Sequence, residues 1–447
     1  NRINRMKKFI DTLVNIYKIE DLRVRIFNTL GFLLIYRLGS FVVLPGVDSV
    51  ALQAQSEGAQ GIAAILNLFA GGAFSRASIF ALGIMPYISA SIVMQLLGIA
   101  VPSLQRLQKD GESGRKKLNQ WTRLLTVAIT LAQAPGFLAT QVPASAIVND
   151  TIFWRISTYI ILVTGTMFVM WLGERITDKG LGNGISLIIM IGIIAQLPTA
   201  FFFEFGARLD SGGLVMFLVE IVFLLLVTIA TILLIQGTRR VPVNFAKKVV
   251  GNKQYGGVRQ YIPLKVNAAG VMPIIFAQAL MFVPITVAGF SESDLTTSFA
   301  AAFADITGFW YNFVFAVLII AFTYFYTAIT FSPQQIADDL KKNGGFIPGI
   351  KPGKKTAEFL DGIISKITLP GSFFLAIVAI LPAFAMIAGI STGFAYFFGG
   401  TSLLIMVGVV LDTLQQIESH LLMRHYDGLM KSGKIKGRSS SAFGMTG

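Results

Sequence analysis

One apolar stretch of this sequence, from Gly61 to Val101, is too long for a single membrane crossing and too short for two. Gly71, Gly72 and Arg76 interrupt it midway. At about 1.5 Å per residue, a helix before the interruption, from Ile62 to Ala70, would reach only roughly 14 Å, whereas the hydrocarbon core is ~30 Å thick. The sequence therefore predicts a half-helix here, followed by a full crossing helix after Arg76.

Such a half-helix restricts what can surround it, because lipid offers no partner for unpaired backbone groups. Irregular backbone at membrane depth is tolerated only where it is buried in protein or lines a water-filled cavity. We therefore predict an aqueous funnel inside the protein. A funnel of this kind indicates conduction.

The composition is typical of a polytopic membrane protein. Of the 447 residues, 54% are hydrophobic and only 13% are charged, and the mean hydropathy is +0.69. This is more apolar sequence than a water-soluble core of that length could bury. The chain has no cysteine, which excludes disulfides, thiolate metal sites and cysteine catalysis.

Apolar windows of about 20 residues predict ten crossings, which places both termini on one side of the membrane. Their approximate limits are 25–43, 75–100, 124–140, 154–172, 185–203, 214–235, 268–287, 309–331, 371–390 and 398–415. The predicted fold class is therefore an all-α polytopic membrane protein with ten transmembrane helices. Two five-span halves are hinted at, without a convincing residue-level match between them.

The distribution of positive charge predicts the orientation of the chain, because short cytoplasmic loops carry an excess of lysine and arginine. All but four of the 37 lysines and arginines fall on one side of the ten crossings; the exceptions are Arg37, Arg76, Arg155 and Arg208. Both termini are therefore predicted to be cytoplasmic. The net charge of +14 is mostly an orientation signal.

Two of the predicted cytoplasmic connections, 238–266 and 332–369, are far longer than a turn between neighbouring helices requires. The first contains several basic residues and no acidic one. The second carries a turn rich in proline and glycine, from Phe346 to Gly353. We predict that both are docking surfaces for a partner, with a solvated orientation signal as the simpler alternative for the charges.

No motif for catalysis or energy coupling stands out. Residues 349–356 miss the Walker pattern because Lys355 stands where serine or threonine is needed. The glycines from Gly180 to Gly184 enter a membrane span without a preceding soluble strand, unlike a dinucleotide-binding motif. His420 and His425 lack a ligand cluster. We predict a protein that is not an enzyme and has no cofactor and no metal.

Two rival classes remain open from the residues alone. An ion-coupled secondary transporter with broken helices needs ionisable groups at mid-depth, and the interior charges here are few: Arg37, Glu220 and Asp412. A membrane-bound assembly scaffold would explain the long loops but not the half-helix. Deleting the half-helix would discriminate between channel and transporter, since a channel would leak ions and a transporter would lose uptake.

Seven strings distributed over nearly the whole chain resemble the SecY family, the channel-forming subunits of the bacterial Sec protein-export translocon. They are GGAFSRASIFALGIMPYISAS (71–91), GESGR (111–115), TGTMF (164–168), WLGE (171–174), GNGIS (182–186), PLKVN (263–267) and GGTSLLI (399–405). The resemblance implies a clamshell of two pseudo-symmetric five-helix halves, hinged near the loop between the fifth and sixth spans and opening sideways between the second and seventh.

The same resemblance implies a division of the chain. Residues 1–24 are a cytoplasmic N-terminal segment, 25–203 and 204–417 are the two halves, and 418–447 are a cytoplasmic tail. The half-helix becomes a plug of roughly residues 62–74, with these residues in or beside it: Leu66, Asn67, Phe69, Gly71, Gly72 and Arg76.

The resemblance also implies a pore constriction, made here entirely of isoleucine: Ile84, Ile88, Ile185, Ile189, Ile275 and Ile405. A ring of branched aliphatic side chains has a physical sense of its own, because it offers ions no ligand in exchange for their hydration shell and can dewet. It also makes no directional bond to a passing peptide. Isoleucines at helical spacing are otherwise usual in packing or lipid contact.

For the sideways exit, two amides are candidates: Gln95 late in the second span and Asn267 at the start of the seventh. Amides facing one another would hold two helices together weakly, since such bonds are worth about 0.6 to 2 kcal/mol in membranes. A hydrophobic signal segment could then displace the contact, because each leucine or isoleucine gains roughly 0.3 to 0.6 kcal/mol on entering lipid.

The partners implied are the ribosome or the export ATPase SecA at the long loops, the small subunits SecE and SecG around the clamshell, signal-sequence-bearing precursor proteins in the pore, and lipids of the bacterial plasma membrane. The docking candidates are Arg239, Arg240, Lys247, Lys248, Lys253, Arg259 and Lys351. Lys351 stands where the family usually has arginine, so it keeps the charge but loses the planar fork. Glu220, inside the sixth span, has no family role.

Overall fold

The computed structural model describes residues 19–48, 52, 67–210, 213–245, 248–250, 253–255, 259–267, 269–288 and 305–431. In chain order its helices are α1 (Glu20–Gly39), α2 (Met85–Ala100), α3 (Pro102–Lys109), α4 (Gly111–Gln141), α5 (Ile152–Lys179), α6 (Gly184–Asp210), α7 (Leu214–Gln236), α8 (Met272–Ala288), α9 (Phe309–Thr330), α10 (Pro333–Lys342), α11 (Lys354–Ile387), α12 (Thr392–Ala395) and α13 (Gly400–Lys431). All except the short α3, α10 and α12 match the ten predicted crossings. Seven helices of the described residues are long and apolar enough to span a membrane.

The helices pack in a bundle whose outer surface is apolar. Helix α7 contains one charged residue, and its exposed surface is apolar. It includes Leu218, Val222, Leu225 and Leu226. Exposed apolar surface of this extent is what a lipid-facing helix presents. Many threonines within the bundle donate to the carbonyl one turn back, as Thr126 does to Thr122 at 2.8 Å, so their hydroxyls need no external partner.

The second crossing differs from the prediction. We expected a full helix from just after Arg76, but residues 70–84 form consecutive turns and α2 begins only at Met85. Its 16 residues reach about 24 Å, less than the hydrocarbon core. Pro86 explains the start, because proline lacks an N–H and is favoured in the first helical turn, where that N–H has no partner within the helix. Gly83, at φ 53°, takes a left-handed conformation just before it.

Before α2 the chain pairs with the segment that follows α1. Ile79 donates its backbone N–H to Val42 at 2.9 Å, and Leu44 donates to Ala77 at 2.9 Å. These bonds satisfy the backbone of a non-helical stretch inside the bundle. Residues 67–69 are helical, and residues 61–66, where most of the expected half-helix would lie, are outside the described residues.

One large core cluster runs through the centre of the bundle and contains side chains from α1, α2, α5, α6, α8, α9, α11 and α13. Around it, α6 packs against α5, α7 and α13, α9 packs against α8 and α11, and α2 packs against α4. By contrast, α2 and α8 meet at only a few positions. The two chain segments 25–203 and 204–417 are therefore in closer contact on the α6 side than on the α2–α8 side.

The two long connections form a single unit. Strand β1 (Thr238–Phe245) lies at the centre of a three-stranded antiparallel sheet. After β1 the same connection forms a short antiparallel hairpin of β2 (Lys248–Val250) with β3 (Lys253–Tyr255). The flanking strands are β4 (Arg259–Lys265), from the same connection, and β5 (Gly345–Phe346), from the other. A small apolar core beneath the sheet joins both connections and contains Val241, Val243, Leu264, Ile347 and Leu360.

The second of these connections is also shorter than predicted. We expected it to run from 332 to 369, but α11 begins at Lys354 and continues without a break into the crossing. The apolar window missed this first part because it is amphipathic, with Leu360 buried and Phe359 exposed. Gly353, at φ 99°, ends the preceding turn in a left-handed conformation and fixes where the helix starts.

Candidate functional site

A short irregular segment lies in the middle of the bundle, and we call residues 67–76 the inner segment. Leu68, Phe69, Ala73 and Phe74 are each at most 6% exposed. Much of its backbone is satisfied from within: Gly72 donates to the carbonyl of Asn67 at 2.8 Å. The Oδ1 atom of Asn67 also accepts from the Ser75 N–H at 3.0 Å. The segment is therefore a folded piece of backbone inside protein, the environment that irregular membrane backbone requires.

Side chains from two helices hold the inner segment in place. From α1, Tyr36 donates to the Ala70 carbonyl at 3.4 Å and Arg37 donates to the Gly71 carbonyl at 2.6 Å. From α6, Gln196 donates to the Asn67 carbonyl at 2.8 Å. A bond to a neutral group is worth about 0.5 to 1.5 kcal/mol and a bond involving a charged group about 1.5 to 3 kcal/mol. The segment is thus held firmly but by few bonds.

Two guanidinium groups converge on one carbonyl oxygen. Arg76 donates to Gly71 at 2.9 Å, to the same atom that Arg37 reaches. Both arginines stack on the ring of Phe41, at 4.4 Å for Arg76 and 4.9 Å for Arg37. The carbonyl and the ring supply the negative potential that two neighbouring cations need. The two bonds hold Gly71 in place, where the backbone of the inner segment turns.

Two glycines allow α6 to approach the inner segment closely. A Cβ atom added at Gly192 would lie 2.6 Å from the Phe69 carbonyl oxygen and 3.2 Å from the Gly71 nitrogen. At Gly71, where φ is 63°, an added Cβ would lie 3.0 Å from the Cα of Gly192. Larger residues would therefore push the helix and the segment apart.

The six isoleucines of the predicted constriction all lie in the interior. Ile84, Ile88, Ile189 and Ile405 are at most 8% exposed. The remaining two, Ile185 and Ile275, are half-buried and pack against the same cluster. That cluster also contains Leu68 and Phe69 of the inner segment. Helices α2, α6, α8 and α13, with Ile84 in the turn just before α2, thus bring the isoleucines into one apolar region with the inner segment, and whether they form a pore ring stays a prediction.

The two amides of the predicted sideways exit do not bond to each other. Gln95 donates to Ser91 of its own helix at 3.3 Å, and Asn267 donates to the Gly270 carbonyl at 3.0 Å. The expected bond between the two amides is therefore not made in this conformation, in which each side chain donates to an acceptor in its own segment. Asn267 is 6% exposed, and within the part of the chain that the structure describes no donor bonds to its Oδ1 atom.

The docking candidates lie on or beside the sheet. Arg239 and Arg240 on β1 and Arg259 on β4 are exposed, as is Lys351 in the turn before α11. The Arg259 guanidinium lies 5.9 Å from the centroid of the Tyr261 ring. Lys248 and Lys253 belong to the β2–β3 hairpin. Lys247, like Leu66 of the predicted plug, lies outside the described residues.

The sequence analysis missed several residues that the structure places at this site. Arg37 was visible as a charge within a predicted span, and a charge at that depth indicates a buried partner. Gln196 and Gly192 gave no signal, because polar and small residues are common in transmembrane helices. A further buried group, formed by Glu204, Arg208 and Glu220, joins α6 to α7.

Comparison with known proteins places the chain in a family. A family model described as SecY matches residues 78–414. The protein translocase subunit SecY of Streptomyces scabiei is 43% identical over 432 residues, which cover 93% of this chain and 98% of that protein. The chain belongs to the SecY family. The SecY subunit of Mycobacterium bovis is 39% identical over 444 residues, covering 94% of this chain and all of that protein (100%).

Solved structures show the fold of this SecY family member. One structure, described as a protein conducting channel, is similar with a TM-score of 0.65 at 16% sequence identity. The alignment covers 93% of this chain and 95% of the solved chain. Another, whose description states that the plug domain of SecY stabilises the closed state, has a TM-score of 0.62 at 17% identity with the same coverage. The fold is the ten-helix clamshell of these channels, as the sequence predicted.

Proposed function

We propose that this SecY family protein conducts unfolded secretory polypeptides through a central pore and releases transmembrane segments sideways between α2 and α8. The inner segment is the plug, and the six isoleucines form the constriction beneath it. The observation that carries the proposal is a short piece of folded backbone, buried in the middle of the bundle and held mainly by side-chain bonds to two helices.

The number of these bonds suits a plug that must leave. Three side-chain bonds from the surrounding helices to the inner segment, from Tyr36, Arg37 and Gln196, are together worth several kcal/mol at about 0.5 to 3 kcal/mol each. A signal segment with ten or so apolar residues gains a comparable amount on entering lipid, at roughly 0.3 to 0.6 kcal/mol per residue. The gain of a signal segment is thus of the same order as the side-chain bonds that release of the plug would break.

The driving force comes from a partner, since we find no energy-coupling motif in the sequence. We propose that the sheet unit, with Arg239, Arg240, Arg259 and Lys351 exposed on it, docks either SecA or the ribosome. Lys247, Lys248 and Lys253 extend the same basic surface in sequence. A relative with this fold has been solved as Sec61 in a canine ribosome–channel complex, at a TM-score of 0.60. Basic residues suit the phosphates of ribosomal RNA.

We further propose that the protein lies in a bacterial plasma membrane with SecE and SecG around it and both termini in the cytoplasm. Curated relatives from Streptomyces and Mycobacterium support a bacterial membrane. The excess of lysine and arginine on the side of the sheet supports the orientation. Protease that reached the 238–266 loop from outside intact cells would contradict it.

The proposal is tested by reconstitution. The full chain, with SecE and SecG, is placed in liposomes, and transport of a secreted precursor is measured with SecA and ATP. We expect transport that depends on the signal sequence of the precursor. Failure to transport any precursor, combined with ion-coupled uptake of a small solute, would overturn the proposal in favour of a secondary transporter.

A further inference from the structure

Three charged residues, two buried carboxylates and a partly exposed arginine, form a group that the channel function does not explain. The guanidinium of Arg208 on α6 lies between two carboxylates: its Nε is 2.9 Å from Glu204 of the same helix, and its Nη2 is 2.8 Å from Glu220 of α7. Glu204 and Glu220 are each 2% exposed. Charged side chains at this depth are unfavourable unless paired, so the three hold one another.

The group reaches a third element, the connection after α11. The Nη2 atom of Arg208 also donates to the Gly389 carbonyl at 2.9 Å. The second oxygen of Glu204 accepts from the Ser391 N–H at 3.0 Å. The ends of α6 and α11 and the start of α7 are therefore joined at the end of the bundle opposite the sheet.

The two carboxylates are not held equally well. Both oxygens of Glu204 have hydrogen-bond donors, from Arg208 and from Ser391. Neither oxygen of Glu220 has a hydrogen bond of good geometry within the described structure, although one lies 2.8 Å from Arg208. Angular misalignment weakens a hydrogen bond steeply even at a short distance. The contact to Glu220 is thus the weaker arm of the group.

The position of this weaker arm is informative. It links α6, the fifth span, whose last residues from Glu204 onward lie past the 203/204 boundary drawn from the sequence, to α7, the sixth span. At the opposite seam, between α2 and α8, no side-chain hydrogen bond crosses among the side chains that the structure describes, and both amides there bond locally. Among those described side chains, the polar bonds that link the spans are therefore on the α6 side.

We propose that Glu204, Arg208 and Glu220 form an ionic clasp that holds α6 and α7 together while the α2–α8 seam opens, and that its Glu220 arm sets how far the halves separate. These are positioning residues, because they do not touch the passing chain. The inference rests on the proposed channel function. Loss of the Glu220 arm should let α7 move away from α6 and make the closed state less populated.

The absence of cysteine allows a direct test. Cysteines placed at Phe202 and Leu218, which are 69% and 62% exposed, carry spin labels one residue beyond the Phe201–Phe217 ring contact at 5.3 Å. The distance distribution between the labels is measured in the reconstituted full chain with SecE and SecG. Ion leak through the same liposomes is measured in parallel.

We expect Glu220→Gln to broaden the distribution and to raise the leak about tenfold, the change that about 1.4 kcal/mol produces. The matched control is Glu174→Gln, which breaks an ion pair with Arg123 at 2.6 Å between α4 and α5 of the same half. The control should change neither measurement. If Glu220→Gln does not reach the membrane, Glu220→Leu, which leaves Arg208 paired with Glu204, replaces it with the same expectation.

Equal distributions in the wild type and Glu220→Gln, or equal broadening in Glu174→Gln, would overturn the clasp. The label distances need no transport, so the two proposals fail separately. If the wild type transports no precursor but Glu220→Gln still broadens the distribution, the channel function is wrong and the clasp stands as a tie between helices. If transport is normal and the distribution does not change, the clasp alone is wrong.

Discussion

At the residue scale, close backbone contact acts together with the side-chain bonds at the inner segment. Gly192 of α6 has no side chain where the carbonyl of Phe69 and the nitrogen of Gly71 pass. Helices that approach another backbone this closely need small residues at the contact. The same helix contains Gly206, at which an added Cβ would meet nothing within 4 Å. An alanine at Gly206 therefore changes helix propensity alone, whereas an alanine at Gly192 changes helix propensity and also disturbs the close contact.

We predict that Gly192→Ala loosens the inner segment. Its new methyl group, 2.6 Å from the Phe69 oxygen, should cost about 1 to 3 kcal/mol by overpacking and should increase ion leak through liposomes. Gly206→Ala is the control, since it gains up to about 1 kcal/mol of helix propensity without a clash. Equal leak in the two variants would show that this close contact does not keep the channel closed.

We also predict that Arg37→Gln weakens the closed state. The variant loses the 2.6 Å bond to the Gly71 carbonyl, worth about 1.5 to 3 kcal/mol for a charged donor, and leaves Arg76 alone on that atom. Export of a precursor with a defective signal sequence should increase. Arg155→Gln removes an arginine paired instead with Asp150 and should not increase it.

Residue identities were only partly predictable. Arg37 and Glu220 stood out as charges within apolar spans, but their partners lie far away in sequence or on another helix. The six isoleucines came from the family resemblance, because isoleucine in a membrane span is ordinary. The local acceptors of Gln95 and Asn267 depend on side-chain rotamers that no sequence pattern reveals.

At the element scale, hydropathy predicted the ten crossings and missed two features of their connections. Pro86 could have shown that α2 starts at Met85, since proline favours the first helical turn. The pairing of β1 with β5, which brings Asn244 opposite Phe346, could not be seen, because strands so distant in sequence leave no periodic signal. The two predicted docking loops are one folded unit for this reason.

Because the two connections share one small core, a substitution in one connection should destabilise the other. Leu360 on α11 is fully buried under the sheet, at 0% exposure, while its neighbour Phe359 is 40% exposed. Leu360→Ala should cost about 2 to 5 kcal/mol within this small core. Amide hydrogen exchange of β1, in the other connection, should therefore speed up markedly. Phe359→Ala should leave it unchanged, and the same protection of β1 in both variants would mean that the connections fold independently.

At the scale of the whole molecule, packing between the halves is uneven. Helix α6 packs on α7 and α13 and carries the ionic clasp, whereas α2 and α8 meet at few positions. A bundle joined in this way separates most easily along the seam with the fewest contacts. If the seam opens as proposed, the apolar region that contains the isoleucines should change width with it.

The isoleucine constriction can be tested by placing a polar group in it. Ile405→Asn on α13, at a position 2% exposed, should hydrate the collar and raise the leak of the closed channel, because an amide offers ions and water a ligand that isoleucine withholds. The control is Ile319→Asn on α9, which is 0% exposed in the same cluster but outside the predicted ring. Both variants bury one unpaired amide, at about 1 to 3 kcal/mol. A leak confined to Ile405→Asn, measured as conductance of reconstituted liposomes, separates a pore position from general damage to the core, and equal leak in both would place Ile405 among ordinary packing residues.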